Sequence, residues 1–431
     1  MHELVLGTSS EWVLKGEGNA NAVFGYAGTD PALIGRVVRV RKQPAEAATG
    51  HTSDKLTKDL WGPDAEQLSD VSQYFVPALG SKYLATGVQI QLSSDLVAGL
   101  NRQLKHNQQL QNQVTLLTLN GSILPDATVF LPTAIAAAAT AKVSRFQLQQ
   151  HLKLAQGKIS SISAYDPLDL FSGETVRMHR TLVALIANPQ NNLKLFVDGK
   201  PVDTLDHTAQ LDSTESLVEK AFGLDSDFAE PGNAVTLLAD VLKHILLREG
   251  VLQKLLSIQA LDAHDIEGIY PLYCHMLQQL RLQTDGPNVV HRQTPFEGVG
   301  SECELSALQP QKAHVMSLVR KTWSEQISMI RDYLLATTAK DCSLMITMQA
   351  LPAAASPDHM ESQCHCSHFS EFQKGFDLVS VPKIAVQLKY KVAVVDLDVK
   401  PHSKILSHYC LDQEIIKHQA MERLIMSDAA C

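Results

Sequence analysis

The period of the apolar pattern changes along this chain, and that change limits what the chain can fold into. Over the first 120 residues, short β-rich runs alternate with turn residues, which predicts strands and turns with one helix. From residue 145 onward helical spacing dominates. Six apolar residues spaced by three or four positions predict one long amphipathic helix: Val315, Val319, Trp323, Ile327, Ile330 and Leu334. Two runs of strand length, at 342–350 and 389–399, follow it.

Two further segments carry local signals. Residues 23–28 and 34–42 are joined by Thr29-Asp30-Pro31, so they predict a hairpin. Side chains alternate between the faces of a strand, which places Arg39 on one face with Val37 and Arg36 on the other. Residues 126–140 include four consecutive alanines and predict the start of a helix, with a poorly ordered connector as the alternative.

The charge balance restricts the class of partner. The chain has 37 Lys and Arg against 46 Asp and Glu, a formal net charge of −9. Proteins that bind nucleic acid or anionic membranes usually have a basic excess, so neither partner is expected. The charge is uneven, because residues 201–240 hold nine acids and one Lys, whereas residues 130–200 hold eight basic residues and four acids. A solvated insert or helix face is the simplest interpretation of the acidic stretch.

Targeting signals and cysteine usage restrict the compartment. No stretch reaches the roughly 20 apolar residues of a membrane helix, and no basic-then-apolar signal peptide opens the chain. The seven cysteines are odd in number and scattered, which fits a reducing compartment better than a disulfide framework. We therefore expect an intracellular protein in the cytoplasm, the nucleus or both.

A glycine-containing segment precedes the first hairpin: Gly16-Glu17-Gly18-Asn19-Ala20-Asn21. Glycines allow backbone N–H groups to approach a phosphate closely, so the segment is compatible with a nucleotide loop over a hairpin. A tight turn is the alternative. No Gly-Lys-Ser/Thr follows, and no strand-Gly-helix unit surrounds it, which excludes the two commonest phosphate motifs.

Acids near the C-terminus suggest phosphate chemistry. Asp396 and Asp398 end an apolar run and are followed by Lys400 and Lys404, a combination suited to Mg²⁺ and phosphate oxygens. On a strand, Asp396, Asp398 and Lys400 would share one face, toward solvent or a ligand. Asp341 lies between a helix and a strand beside Lys340, where an acid is either a turn residue or a base for a hydroxyl.

A polar loop between the last two strands holds soft metal ligands. They are His359, Cys364, His365, Cys366 and His368. No Cys-x-x-Cys pair is present, and a Cys-His-Cys tripeptide rarely closes a tetrahedral site alone. We therefore predict no zinc site from this loop.

Six segments together resemble the inositol-pentakisphosphate 2-kinase family, in order and in approximate spacing from about residue 12 to residue 413. They are the segment at Gly16, Tyr165-Asp166-Pro167-Leu168-Asp169-Leu170-Phe171-Ser172-Gly173, Pro189-Gln190-Asn191-Asn192, Asp265-Ile266-Glu267-Gly268, Thr338-Ala339-Lys340-Asp341-Cys342-Ser343, and Asp396-Leu397-Asp398-Val399-Lys400-Pro401. The combination is far more specific than any single piece.

The resemblance implies an α+β fold of two lobes, distantly like a protein kinase. Residues 1–122 would form an N-lobe with an antiparallel sheet and the glycine loop, and residues 123–431 a larger mixed C-lobe with the inositide site. It also implies ATP and Mg²⁺, and a monomer that makes inositol hexakisphosphate from inositol 1,3,4,5,6-pentakisphosphate.

The resemblance further assigns residues to roles. Asp341 would be the catalytic base and Asp396 the Mg²⁺ ligand. The ATP site would comprise Gly16, Gly18, Asn19, Asn21, Arg39 and Asp396. The inositol phosphates would be bound by Lys153, Asn191, Lys194, Lys400, Lys404 and His408. Plant members have Arg at the position of Lys404 and Tyr at that of His408.

One family motif is missing. Members carry Glu-Ile-Lys-Pro-Lys before a Phe-Leu-Pro-Thr-like segment, but here Leu124-Pro125-Asp126-Ala127-Thr128-Val129 precedes Phe130-Leu131-Pro132-Thr133. Each lost charge-assisted phosphate contact costs about 1.5 to 3 kcal/mol. The alternatives to an active kinase are therefore a non-catalytic inositol-phosphate-binding or scaffold protein, and an incomplete gene model.

Overall fold

Two antiparallel sheets and a set of helices make up the part of the chain that the computed structural model describes. The described residues are 6–17, 21–30, 33, 36–42, 51–61, 72–84, 87–104, 110–118, 127–132, 144–190, 192–197, 200–201, 233–285, 309–351, 377–381 and 386–428. The strands are β1 (Trp12–Glu17), β2 (Asn21–Tyr26), β3 (Arg36–Lys42), β4 (Gly87–Gln91), β5 (Leu110–Thr118), β6 (Ala127–Pro132), β7 (Lys194–Val197), β8 (Lys200–Pro201), β9 (Ser343–Leu351), β10 (Asp377–Val381) and β11 (Val386–Val395).

The helices alternate with these strands and dominate after residue 144. They are α1 (His51–Trp61), α2 (Ser72–Leu79), α3 (Ser94–Asn101), α4 (Arg145–Ala155), α5 (Pro167–Leu170), α6 (Thr175–Ala187), α7 (Asn233–Glu249), α8 (Val251–Gln259), α9 (Asp265–Asp285), α10 (Gln309–Val319), α11 (Trp323–Asp341) and α12 (Lys404–Asp428). Among these described helices, none has the length and apolar character needed to cross a bilayer. The predicted α+β class with antiparallel sheets is confirmed, and the likeness of the two lobes to a protein kinase stays a prediction.

The first sheet has the strand order β1-β2-β3-β5-β4. The predicted hairpin is confirmed, since β2 and β3 pair antiparallel with Val23 opposite Arg39. Val38 and Val40 are buried in a core with Trp12 and Phe24 that α3 covers. Strand alternation therefore turns Arg39 to the opposite face of this sheet, away from that core.

The N-terminal third contains three described helices, where one was predicted. In α1 the buried residues are Leu56 and Leu60, within an otherwise polar sequence. This is a weak helical signal, and α1 packs against α9 and α11, which lie far along the chain. Long-range burial rather than local pattern accounts for this helix.

The second sheet has the order β10-β11-β9-β6-β7-β8. Leu344, Ile346 and Met348 of β9 alternate toward its buried face, as in a half-buried strand. The helix predicted over residues 126–140 is wrong at its start, because residues 127–132 form β6, which pairs with β9 and β7. Thr, Val and Phe favour a strand there, and the alanine run at 136–139 lies outside the described residues.

The single long helix predicted across residues 315–334 is two helices, α10 and α11. Thr322 begins the second one with a capping box: its hydroxyl accepts from the Glu325 N–H (3.3 Å), and the Glu325 carboxylate accepts from the Thr322 N–H (2.8 Å). Such a box satisfies free N–H groups at a helix start. The three- and four-residue spacing of apolar residues continues from α10 into α11, so it did not reveal the break between them. The capping box of Thr322 and Glu325 marks that break.

Three buried clusters hold these elements together. One underlies the first sheet, as described above. The second joins the second sheet to α2, α6, α7 and α8, and includes Phe75 and Leu79 of α2. The third joins α1 to α9, α11 and α12. Helices α1 and α2 thus pack in clusters formed mainly by later parts of the chain. The predicted boundary between the lobes, at residues 122 and 123, stays a prediction.

A buried carboxylate ties the segment after α2 to the second sheet. Glu249, at the end of α7 and 3% exposed, accepts hydrogen bonds from Lys82 (2.8 Å), Tyr83 (2.8 Å) and Tyr390 (2.7 Å). Burial alone would raise the pKa of Glu249, but these hydrogen bonds outweigh it and hold the pKa below that of an exposed glutamate. The charged form is therefore favoured in the folded state.

We expect Glu249→Gln to lower the free energy of unfolding at pH 7 by about 1.5 to 3 kcal/mol, the value of hydrogen bonds to a charged group. The stabilisation is present above the pKa of the unfolded glutamate, about 4.3, and is lost as pH falls through the lower folded pKa. Urea unfolding at pH 7 and below pH 4 measures it, with the exposed Glu174→Gln as control. A difference from wild type that is equal at both pH values would contradict this account.

Candidate active site

Two acids follow the end of β11, the strand next to the β10 edge of the second sheet. This strand ends at Val395, not at residue 399 as predicted, because Asp396 adopts a left-handed backbone conformation (φ +62°) that stops the pairing. Asp396, Asp398 and Lys400 therefore lie in the loop before α12. The prediction that they share one strand face is wrong.

Side chains of the first sheet reach these acids. The Arg39 guanidinium donates to both carboxylate oxygens of Asp398, with 2.7 Å between Nη1 and Oδ1. The Asn21 amide donates to Asp398 Oδ2 at 3.0 Å. Asp396 Oδ1 is 4.0 Å from Arg39 Nη2 and its side chain is 67% exposed. The face of the β2–β3 hairpin that bears Arg39 and Asn21 thus contacts the loop after β11.

The predicted catalytic acid lies beside the same loop. Asp341 is the last residue of α11, and its Oδ2 is 2.9 Å from Lys400 Nζ. The Lys400 N–H donates to the Thr338 hydroxyl (3.2 Å), which fixes the loop against the end of that helix. Lys340, the sequence neighbour of Asp341, directs its amine to the buried Asp262 at 2.7 Å. Lys400 of the loop before α12 thus contacts Asp341.

The loop is also anchored at its far end. His402 is buried and contacts the Tyr273 hydroxyl through Nδ1 (2.9 Å) and the Thr57 hydroxyl through Nε2 (3.1 Å). These two partners lie on α9 and α1. The anchors at Thr338 and His402 hold Lys400 between two fixed points, so its amine is positioned before any ligand binds.

Three predicted phosphate-binding residues lie on helices next to this loop. Lys404 is the first residue of α12, and His408 follows one turn later, with its Nδ1 3.1 Å from the Tyr333 hydroxyl. Burial lowers the pKa of His408, and Lys400, Lys404 and Lys340 add to this against the opposing effect of Asp341. Lys153 lies on α4, which packs against α12, and its pKa is lowered by burial and then by Lys158. His408 is therefore expected to be neutral at pH 7.

Of the remaining predicted residues, two lie on strands and the others fall outside the described residues. Gly16 is on β1 opposite Val23, after a bulge, and the adjacent Glu17 is paired with Lys42 (2.7 Å). Lys194 is exposed on β7, and no described contact joins it to Asp341 or Lys400. Gly18, Asn19, Asn191, the Leu124-Pro125-Asp126 segment and the loop with His359 and Cys364 lie outside the described residues.

The acids of the loop fit a magnesium site that is completed by phosphate. Within the described ranges, no group of three or more His, Cys, Asp or Glu residues forms a cage. Magnesium is usually held by one or two carboxylates, waters and substrate phosphates, so an all-protein cage is not required. Asp396 and Asp398 are 67% and 46% exposed in a loop that also contacts Arg39. The donor set is therefore suitable for Mg²⁺ bound to a nucleotide.

The structural roles of two residues in this arrangement were not predicted, since the sequence indicated Asp398 only as a candidate ligand. Asp398 joins the two sheets, and Thr338 fixes the loop that carries Lys400. A signal for Asp398 was present, because it lies two residues after Asp396 at the end of an apolar run. No local pattern indicated Thr338.

Comparison with known proteins agrees with the motif-based resemblance. A family model described as inositol-pentakisphosphate 2-kinase matches residues 15–414. An inositol-pentakisphosphate 2-kinase of Oryza sativa subsp. indica is 29% identical over 469 aligned positions, covering 96% of this chain and 94% of that protein. Those of Arabidopsis thaliana and Danio rerio are 29% and 27% identical, and each covers 95% of this chain and 93% of its own length. The rice alignment is longer than this chain of 431 residues, so it contains positions where the chain has no residue.

Proposed function

The chain belongs to the inositol-pentakisphosphate 2-kinase family, and we propose that it transfers the γ-phosphoryl group of ATP to the 2-hydroxyl of inositol 1,3,4,5,6-pentakisphosphate. The family predicted from the sequence motifs is confirmed by the match. One observation carries the proposal: Asp341, at the end of α11, is 2.9 Å from Lys400, and the loop that holds Lys400 also contacts Arg39 and Asn21 through Asp398. An acid for a hydroxyl thus lies near cations suited to a nucleotide.

In the proposed reaction, the 2-hydroxyl oxygen forms a bond to the γ-phosphorus of ATP while the bond from that phosphorus to the β,γ-bridging oxygen breaks. The products are inositol hexakisphosphate and ADP. Asp341 orients the hydroxyl and accepts its proton. Lys400 neutralises charge on the transferring group, and Arg39 and Asn21 contact the ATP phosphates, exchanging Asp398 for the nucleotide. Asp396 holds Mg²⁺, which supplies charge neutralisation to the phosphate oxygens when bound.

Binding of the proposed substrate requires several cations close together, because it is a compact polyphosphate. Each of its five phosphates carries about −1.5 to −2 charges at neutral pH, by analogy with protein phosphates. Lys153, Lys400 and Lys404 lie on packed neighbours, the helices α4 and α12 and the loop before α12. We propose that they bind these phosphates together with Lys194 and Asn191, and that His408 contributes a neutral hydrogen bond in place of a charge.

The wild-type assay tests the proposal. Purified protein is incubated with ATP, Mg²⁺ and inositol 1,3,4,5,6-pentakisphosphate, and the products are separated by anion-exchange chromatography. We expect inositol hexakisphosphate above the level of an Asp341→Ala control. If none forms while calorimetry still shows substrate binding, the chain is a binding or scaffold protein. Sequencing the transcript across residues 124–133 tests whether the missing motif reflects an incomplete gene model.

We also propose that the chain acts as an intracellular monomer in the cytoplasm, the nucleus or both, without a nucleic-acid or membrane partner. Cys410, on α12, is an exposed free thiol. An exposed free thiol supports the assignment to a reducing compartment.

A further inference from the structure

Three helices meet at one arginine that is outside the proposed active site. Arg145 is the first residue of α4, which Ser144 caps by accepting a hydrogen bond from the Gln147 N–H (3.3 Å). Its guanidinium lies between two carboxylates. Nη1 is 2.5 Å from Asp412 Oδ1 of α12, and Nη2 is 3.6 Å from Asp265 Oδ2 at the start of α9.

The partner on α12 is a deeply buried acid. The Asp412 side chain is 2% exposed. Burial raises the pKa of Asp412 to about 6, against the opposing effect of Arg145, and Glu267 and Asp265 raise it further. Its carboxylate oxygens make no aligned hydrogen bond in the described part of the chain, so the contact with Arg145 is ionic in character. Removing one partner of such a pair leaves an uncompensated buried charge.

A second contact ties the other end of α4 to the same helix. The Gln156 amide donates to Glu414 Oε1 at 2.6 Å, just after α4 ends. Both ends of α4 are thereby connected to α12, Arg145 to Asp412 and Gln156 to Glu414. A helix fixed at both ends has little freedom to slide or rotate against its neighbour.

The connected helices carry the cations proposed to bind phosphate. Lys153 lies on α4, and Lys404, His408 and Asp412 are spaced by four residues on one side of α12. Cations gathered for a polyphosphate repel one another in its absence. The lowered pKa of His408 reflects the nearby lysines in part. The position of Lys153 relative to Lys404 therefore depends on how α4 is held against α12.

We propose that Arg145, Asp412 and Asp265 form a clamp that fixes α4 against α12, so that Lys153 and Lys404 are in place before inositol pentakisphosphate binds. The clamp residues are positioning residues and do not contact the substrate. The role of the clamp in substrate affinity rests on the proposed function. The clamp also assigns a positioning role to Asp265 of the Asp265-Ile266-Glu267-Gly268 motif, which has no role in the proposed reaction.

The test separates positioning from folding by comparing two variants. Arg145→Met leaves the buried Asp412 carboxylate without its cation, and the double variant Arg145→Met/Asp412→Leu replaces the pair with apolar groups. Replacing a whole buried ion pair with apolar residues is often neutral for stability. We expect the single variant to lower Tm and the double variant to recover it. Both should raise the KM or Kd for inositol pentakisphosphate about tenfold, the effect of losing roughly one hydrogen-bonded contact to a charged group, with the KM for ATP within twofold of wild type.

A matched control is Asp169→Asn, which breaks the ion pairs of Asp169 on α5 with Arg177 (2.7 Å) and Arg180 (2.5 Å) on α6. Its KM for inositol pentakisphosphate should equal that of wild type, and Arg145→Lys should retain part of the affinity that Arg145→Met loses. Recovery of both Tm and substrate affinity in the double variant would overturn the clamp, because the pair would then serve folding alone.

Amide hydrogen exchange gives a readout without substrate. We expect faster exchange in α4 of the double variant than in wild type at equal global stability. Unchanged protection of α4 would overturn the clamp, whether or not the wild type binds inositol pentakisphosphate. Failure of the wild type to bind it would instead contradict the proposed function, and the exchange result would still decide the clamp.

Discussion

Asp341→Asn is expected to reduce kcat for phosphorylation of inositol pentakisphosphate by about 10² to 10⁴-fold, the usual contribution of a general base. Asn keeps the size and shape of the side chain but cannot accept the proton of the 2-hydroxyl. The contact with Lys400 at 2.9 Å loses its ionic character, yet Asp341 is 54% exposed, so little change in stability is expected. The effect should appear in kcat, with the KM for both substrates changed by less than threefold.

Steady-state kinetics and calorimetry check this result together. The variant should bind inositol pentakisphosphate as wild type does, since the lysines proposed to hold the phosphates are intact. Asp95→Asn, an exposed acid in the first turn of α3, is the matched control and should retain wild-type kcat. Full activity in Asp341→Asn would exclude this residue as the base and would move the search to another acid near Lys400.

Asp396→Asn is expected to lower kcat/KM for ATP by about 10³-fold and to raise the Mg²⁺ concentration needed for half-maximal activity. A bound divalent ion contributes several kcal/mol to charge stabilisation, and about 4 kcal/mol corresponds to a factor of about 10³. Asn tolerates the left-handed conformation at this position, so the backbone should be preserved. The loss is therefore attributable to the carboxylate.

The neighbouring Asp398→Asn gives the matched comparison. This change removes the ionic contact with Arg39 and alters the one with Asn21, which join the first sheet to the loop. Because Arg39 and Asn21 exchange Asp398 for the nucleotide in the proposed reaction, we expect the KM for ATP to fall about 10- to 100-fold, the range for hydrogen bonds to charged groups, with an unchanged Mg²⁺ requirement. Equal Mg²⁺ dependence in the two variants would contradict the assignment of the metal to Asp396.

Local signals in the sequence predicted some of this arrangement. The acid at a helix–strand junction, Asp341, and the outward position of Arg39 in a hairpin both follow from short-range patterns, and the structure has each in that setting. The contact of Arg39 with Asp398 joins positions 359 residues apart, and no local pattern specifies such a pairing. Residues of the site could thus be nominated singly, whereas their partners required the fold.

Where the predictions were wrong, a competing local or tertiary effect decided the structure. Helical spacing continued through Thr322, but the capping box with Glu325 begins a new helix there. The apolar run of β11 suggested pairing up to residue 399, but the left-handed backbone of Asp396 ended it. Each outcome reflects a specific interaction that periodicity does not represent.

The packing of α1 has a consequence for the order in which this protein is made. Leu56 and Leu60 are synthesised early, but their buried neighbours include Ile269, Ile330 and Ile405, the last of which belongs to the C-terminal helix. A nascent chain must therefore carry the two leucines of α1 without their partners through most of translation. Folding of this cluster can be completed only after the C-terminal helix has left the ribosome, so α1 depends on the last part of the chain to bury its leucines.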